Sequence, residues 1–151
     1  MDSSLQLSIR ERALQRMLEL LAPVATSNGA TLHRSPTVAL SREQCPALVL
    51  FPETETIVEK ANDRLVRELT VKLVALARAV PPQAPETLAD QLITQAHQAL
   101  FTDANLGGLI LSLQEVSCEW DVEDADAIAA AIPMTYRLIY RTQVHDLALQ
   151  G

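Results

Sequence analysis

The fold is decided by the stretch Pro85–Val116, which reads PETLADQLITQAHQALFTDANLGGLILSLQEV. In its first half, apolar residues recur at the three- and four-residue spacing that gathers them on one face of a helix: Leu88, Leu92, Ile93, Ala96 and Leu100. Pro85 suits the first helical turn, where its missing N–H would have had no partner. The spacing therefore predicts an amphipathic helix that covers another layer of the protein.

The second half of this stretch predicts a strand after a glycine turn. Gly107 and Gly108 can adopt the backbone angles needed to leave a helix and turn. Beyond them, three leucines occupy every second position: Leu109, Leu111 and Leu113. They alternate with Ile110, Ser112 and Gln114, so the pattern predicts a strand with one apolar face. Together the two halves predict a helix packed against a sheet.

Length and composition bound the rest of the chain. At 151 residues the chain is about one domain, and its 48% hydrophobic content is ordinary for a folded protein. Only five residues are Phe, Trp or Tyr, so we expect an aliphatic core. We expect residues 1–7 to form a flexible leader, residues 8–145 a single α+β domain and residues 146–151 a C-terminal tail.

The N-terminal sequence predicts synthesis in the cytoplasm. No run of the chain approaches the ~20 apolar residues of a membrane-spanning helix. Arg10 and Glu11 stand where a secretory signal would place its apolar region.

The charge balance argues against tight binding to nucleic acid. The chain has 19 acidic and 12 basic residues, a net charge of −7, which repels phosphate backbones. Cys45 and Cys118 lack the spacing of a zinc site and the density of a disulfide scaffold. We expect two buried thiols, with a disulfide or a reactive thiol as the alternatives.

Local signals predict the first helix. Ser8 and Glu11 fit a capping box, in which the serine hydroxyl and the glutamate carboxylate satisfy N–H groups at a helix start. Pro23, followed by Asn28 and Gly29, is expected to end this helix.

Several strands are expected before Pro85. A short strand is predicted at Thr31–Arg34. The continuously apolar run Cys45–Phe51 predicts a central strand that begins at Pro46 and is closed by Pro52. The segment Glu53–Lys60 is polar, and both a loop and an edge strand fit it.

The stretch Leu65–Arg78 fits two periods. On strand spacing, six apolar residues share a face with Arg67: Leu65, Leu69, Val71, Leu73, Ala75 and Ala77. On helix spacing, a different set aligns: Val66, Leu69, Leu73, Leu76 and Val80. We favour the strand because the alternation is sustained and the stretch contains β-branched residues. A last strand is predicted where one set of residues, Ile132, Met134, Tyr136, Leu138 and Tyr140, alternates with another, Pro133, Thr135, Arg137, Ile139 and Arg141.

An acidic segment precedes this last strand, with carboxylates at Asp121, Glu123, Asp124 and Asp126. A helix–loop–helix calcium site would have Gly at its sixth position and Glu at its twelfth, where this chain has Asp126 and Ile132. We therefore expect a solvated loop. The alternatives are an acidic contact surface for a partner and a metal site, which would make the protein a small metal-dependent enzyme.

No catalytic signature is present in the sequence. The chain lacks a Gly-x-Ser-x-Gly elbow, a phosphate-binding Walker loop, a His-Glu-x-x-His helix and a dinucleotide turn, and it has only 4 glycines. His33, His97 and His145 are scattered among different predicted elements. The sequence predicts no enzyme, no catalytic residue, no cofactor and no bound metal.

The order and spacing of several segments are more informative than any one motif. They are Ile9–Arg12 opening a helix, Cys45–Val49 after a loop, the long alternating strand, Ala99–Leu109 (ALFTDANLGGL) and Tyr136–Thr142 (YRLIYRT). Over roughly residues 8 to 145, this order resembles the tail terminator proteins of long-tailed bacteriophages.

The resemblance implies an α+β fold, with a mixed or antiparallel sheet of about four to five strands and two main helices packed on one face. It implies a homohexameric ring that caps the tail tube, ends tube polymerisation and offers a surface for head joining. The implied partners are further copies of the chain, the tail tube protein and the head-completion or connector protein. DNA is implied only as passing cargo, no membrane is involved, and the protein passes from the host cytoplasm into the virion tail.

Two other structural roles fit the same features. One is another neck or head–tail joining protein, and the other is a tube cap of an injection apparatus. The acidic balance also suits a pore through which DNA slides, so we expect a lumen that is not lined by Arg and Lys.

The residues that contact partners are predicted from charge and position alone. The candidates for contacts with other copies or with the tube are Glu55, Glu59, Glu68, Lys72, Asp121, Glu123, Asp124 and Asp126. Plain solvated surface is the alternative for each of them.

Overall fold

The computed structural model describes residues 6–78, 81–119 and 129–151. Within them, two helices pack on an open five-stranded mixed sheet. The elements in chain order are α1 (Ile9–Ser27), β1 (Thr31–Arg34), β2 (Ala47–Ala61), β3 (Arg64–Arg78), α2 (Pro85–Leu100), β4 (Ser112–Cys118) and β5 (Ala129–Gln143). The strand order is β1-β2-β3-β5-β4; β1 pairs with β2 in parallel, and all other pairs are antiparallel. The predicted α+β class is confirmed.

Helix α1 begins where the capping signal predicts. The Ser8 hydroxyl accepts a hydrogen bond from the Glu11 N–H at 3.1 Å. The Glu11 carboxylate, expected to bond back to the helix start, is bound by the Arg34 guanidinium at 2.5 and 2.6 Å. The expectation that Pro23 helps to end the helix is wrong, because α1 continues to Ser27. Pro23 lies on the exposed side, where water can satisfy the carbonyl that loses its intrahelical partner.

The strand prediction for Leu65–Arg78 is confirmed by β3. All six apolar residues of the predicted face are buried: Leu65, Leu69, Val71, Leu73, Ala75 and Ala77. The predicted inward residues of the last strand are also buried in β5: Ile132, Met134, Tyr136, Leu138 and Tyr140. These two long strands pair along their whole length and form the centre of the sheet.

Strand β2 is longer than predicted. Pro52 does not close it, and the strand continues through the polar segment Glu53–Lys60, so the strand alternative for that segment is correct. Pro52 has no N–H to donate to a neighbouring strand, and two features make this tolerable. It lies beyond Leu50, the last residue that pairs with β1, and it lies beside a bulge in the pairing with β3.

The stretch Pro85–Val116 folds as a helix, a turn and a strand, with one correction. Gly107 and Gly108 have φ values of +71° and +89°, as a glycine turn requires. The turn extends further than predicted, since the Ile110 N–H donates to the Asn105 carbonyl and β4 starts only at Ser112. Consequently Ile110 is buried and Leu111 is 54% exposed, the reverse of the prediction at these two positions, whereas Leu113 is buried as predicted.

The core lies between the sheet and the two helices. Helix α2 packs on β3 and β5 and contacts α1 at its side. Its buried residues are Ala89, Leu92, Ile93, Ala96 and Leu100. The chain after β5 returns to the start of α1, where the Leu147 carbonyl accepts from the Ile9 N–H at 3.0 Å.

Candidate functional site

The sheet has two free edges within the described residues. Strand β1 covers β2 only from Ala47 to Leu50, so the outer half of β2, Thr54–Ala61, pairs with β3 on one side and with no strand on the other. Strand β4 is last in the strand order and forms the opposite edge. Free edges present unpaired N–H and C=O groups to which another chain can add.

The outer half of β2 also exposes apolar side chains. Ile57 is 56% exposed and Val58 is 50% exposed. Ile57 is paired with Arg67, which lies between Leu65 and Leu69 on the helix-covered face of β3. Ile57 therefore points to the helix side of the sheet, at a place that the helices do not cover.

A charged network holds this outer half to the rest of the protein. The Glu55 carboxylate accepts hydrogen bonds from Arg10 Nη1 at 2.8 Å and from Arg67 Nη1 at 3.2 Å. It also accepts from the hydroxyl of Tyr140. Burial raises the pKa of Tyr140, with the Glu55 carboxylate adding to the effect, so the phenol stays protonated and donates. The network joins α1, β2, β3 and β5.

A groove of about 300 Å³ lies at the opposite edge, between α2 and β4. Its apolar lining residues are Ile93, Ile132 and Met134, and its polar ones include Asp90, His97, Glu115 and Cys118. The strand residues that line the groove point to the face of the sheet on which the helices pack. Glu115 is paired with Tyr136 and Cys118 with Met134, and both partners are buried on that face. The groove and Ile57 thus lie on the same side of the sheet, at opposite edges.

His97 is an ionisable residue of the groove, and each of its ring nitrogens lies near a strand side chain. Its Nδ1 lies 2.7 Å from the Tyr136 hydroxyl, and its Nε2 lies 4.0 Å from Glu115 Oε1. Burial raises the pKa of Tyr136, so this hydroxyl does not ionise to act as a base. The pair orients the imidazole against the sheet.

The predicted contact residues are dispersed. Glu55 belongs to the internal network, and Glu59 is exposed on the outer half of β2. On the sheet face away from the helices, Glu68 Oε1 lies 2.5 Å from Arg137 Nε, and Lys72 Nζ lies 3.4 Å from Glu53 Oε2. The remaining candidates lie outside the described residues: Asp121, Glu123, Asp124 and Asp126.

The cysteine prediction needs correction. Both thiols are free; Cys45 is half-buried, whereas Cys118 is exposed because it lies on an edge strand. Partial burial raises the pKa of Cys118, as do the carboxylates of Glu115 and Asp90, which disfavours a reactive thiolate.

Two further observations concern only the described part of the chain. In residues 6–78, 81–119 and 129–151, no three His, Cys, Asp or Glu side chains are grouped to hold a metal ion. No helix in these ranges has the length and apolar character needed to cross a bilayer.

Sequence reasoning named the segment Glu53–Lys60 as a possible contact surface but did not single out Ile57, and it missed the groove. The one available signal was the apolar pair Ile57-Val58 inside the otherwise polar run ETETIVEK. The groove had no signal, because it forms only when α2, β4 and β5 pack together.

Comparisons with known proteins give little further information. No protein-family model matches the chain, and no curated protein matches it. A similar solved structure is titled "Virion of native gene transfer agent (GTA) particle". The likeness has a TM-score of 0.48 and 13% sequence identity, and it covers 90% of this chain and 93% of the other. It is too distant to indicate a shared function.

Proposed function

We propose that this protein is a structural virion subunit that forms a homohexameric ring on the tail tube of a phage-like particle. The ring ends tube polymerisation and offers the surface to which the head is joined. The proposal draws on the sequence resemblance to tail terminators and on one structural observation. That observation is the pair of free edges at opposite sides of one sheet, the outer half of β2 and the whole of β4.

Two different free edges favour assembly in a closed ring. When one edge of a subunit binds the other edge of the next subunit, the contact is heterologous, and it forms a ring if the rotation between neighbours closes. A contact between two identical edges would instead stop at a dimer. Growth along the tube ends when one axial face of the ring fits the tube and the other does not.

The partners of the proposed ring are its own copies, the tail tube protein and a head-completion or connector protein. DNA is passing cargo, and a net charge of −7 suits a passage that must not retain phosphates. Glu59 and the segment Asp121–Asp126 remain our candidates for contacts with the tube or the connector.

Tail length is the test of this function. Particles assembled without the protein are expected to carry overlong tubes, and resupplying the protein is expected to restore a uniform length. Tubes of normal length with unjoined heads would instead assign the protein to the neck.

The state of the purified protein tests the enzyme alternative. Size-exclusion chromatography with light scattering, run with and without a divalent cation, is expected to detect a hexamer. A stable monomer that retains the metal would contradict the proposed function.

A further inference from the structure

We propose that Ile57 of one copy inserts into the groove between α2 and β4 of the next copy. In this arrangement the outer half of β2 adds to the free edge of β4 as an antiparallel strand. The inference rests on the proposed ring and identifies the contact that closes it.

Strand direction is consistent with this pairing. Three successive antiparallel pairings separate β2 from β4 in the sheet, so the two strands run in opposite directions. Copies in a ring share one orientation along its axis, so β2 of one copy meets β4 of the next in antiparallel fashion. The lengths also match, since β4 is Ser112–Cys118 and the free part of β2 is Thr54–Ala61.

The position of β1 favours an offset between neighbouring copies. Within one sheet, Glu115 is level with Tyr136, Val71 and Pro52, and Cys118 is level with Leu50. Because β1 already pairs with Ala47–Leu50, an incoming β4 avoids it when it is shifted towards the free half of β2. An offset of about five residues, roughly 17 Å along the strand, aligns the free half of β2 with β4 and brings Ile57 level with Glu115.

An offset of this size is ordinary for a sheet that closes on itself. In closed sheets the strands tilt by about 35–45° from the axis, and the register shifts accordingly. Four strands spaced ~4.8 Å apart span roughly 19 Å, so a tilt of about 40° shifts the next copy by roughly 16 Å.

The chemistry of the two surfaces is complementary. The groove that Glu115 lines has apolar walls that include Ile93 and Met134, and Ile57 is an apolar side chain that its own helices leave exposed. Lys60 is paired with Leu65, so it points to the same side as Ile57. In this register Lys60 is level with Leu113 of the neighbouring β4, and its long side chain can reach the Glu115 carboxylate two residues away. No ion-pair partner for Lys60 occurs among the described residues.

The outer half of β2 is also held rigid before it binds. The Glu55 network fixes it to β3, β5 and α1 two residues before Ile57. Preorganisation of this kind lowers the entropy lost on association. Edge strands of monomeric proteins are usually guarded by charges and bulges; β2 has both, yet it exposes Ile57 and Val58 between them.

Disulfide trapping tests the contact. In a Cys45→Ser/Cys118→Ser background, the pair Ile57→Cys and Glu115→Cys lies at opposite edges of each subunit. Oxidation of the purified protein and of assembled tails is expected to give a covalent ladder up to the hexamer on non-reducing gels. Each single variant, Ile57→Cys or Glu115→Cys, is expected to stop at no more than a dimer.

A second variant covers any effect of the cysteines on folding. Ile57→Asp changes an exposed side chain, so the subunit is expected to fold and the ring to dissociate. Ala22→Asp is the matched control, because Ala22 is an exposed apolar residue of α1 and belongs to neither edge strand; it is expected to leave the ring intact.

The outcomes separate this inference from the proposed function. A hexamer with normal tail length but no ladder, or a ring that tolerates Ile57→Asp, would overturn the Ile57 contact alone. Tails of unchanged length in the absence of the protein would overturn the proposed function.

Discussion

Arg10 Nη1 lies 2.8 Å from Glu55 Oε2, which links the first turn of α1 to the outer half of β2. Arg67 approaches the same oxygen, and its side chain is only 11% exposed, against 41% for Arg10. The Glu55 carboxylate therefore compensates mainly the charge of Arg67, whose guanidinium is poorly hydrated. The more exposed pair with Arg10 contributes little to stability.

Replacing Glu55 is expected to destabilise the subunit. Glu55→Gln keeps the shape of the side chain but leaves Arg67 without its counter-charge, and we expect a loss of about 2 kcal/mol in the free energy of unfolding. Urea denaturation measures it. Glu59→Gln, at an exposed position of the same strand, is the control and is expected to stay within about 0.5 kcal/mol. Equal effects of the two substitutions would contradict a structural role for the network.

The turn before β4 is expected to be sensitive to a single methyl group. Gly108 has φ +89°, and nothing lies within 4 Å of a Cβ built there, so backbone strain alone opposes a side chain. Gly108→Ala is expected to lower the free energy of unfolding by about 1–2 kcal/mol. Gly29, with φ +61°, tolerates Asn better because that residue visits the left-handed region. Thermal unfolding of Gly108→Ala and Gly29→Asn compares them, and a neutral Gly108→Ala would contradict the strain.

The elements of this fold could largely be predicted because their patterns are local. The alternation in Leu65–Arg78 indicated a strand with one buried face, and the spacing in Pro85–Leu100 indicated a helix. The course of β2 past Pro52 could not be predicted, because it depends on where the neighbouring strand β1 stops. The proposed contact surface was hidden for a similar reason, because the exposure of Ile57 depends on which part of the sheet the helices cover.

Stability at acid pH is expected to depend on Glu11. The hydrogen bond from Arg34 holds the pKa of this carboxyl below its ordinary value of 4.5. A carboxyl with a lowered folded-state pKa stabilises the native state above its unfolded pKa, and that contribution is lost as the pH falls through the folded value. The free energy of unfolding should therefore decline below about pH 4.5. Glu11→Gln should flatten this decline, whereas the exposed Glu86→Gln should not; parallel pH profiles for wild type and Glu11→Gln would contradict the assignment.

Charge reversal tests the polar part of the inferred contact between copies. Lys60→Glu would place two carboxylates together at every interface of the ring, at a cost of about 1 kcal/mol per interface. Because the contact recurs around the ring, we expect dissociation at a much higher protein concentration than for wild type. The double variant Lys60→Glu/Glu115→Lys should restore the ring, and raising the salt concentration should lessen the defect of the single variant. Arg78→Glu makes the same change in net charge at the far end of β3 and is expected to assemble normally. Light scattering across a dilution series measures all four proteins, and a double variant that assembles no better than Lys60→Glu would exclude the pairing of Lys60 with Glu115.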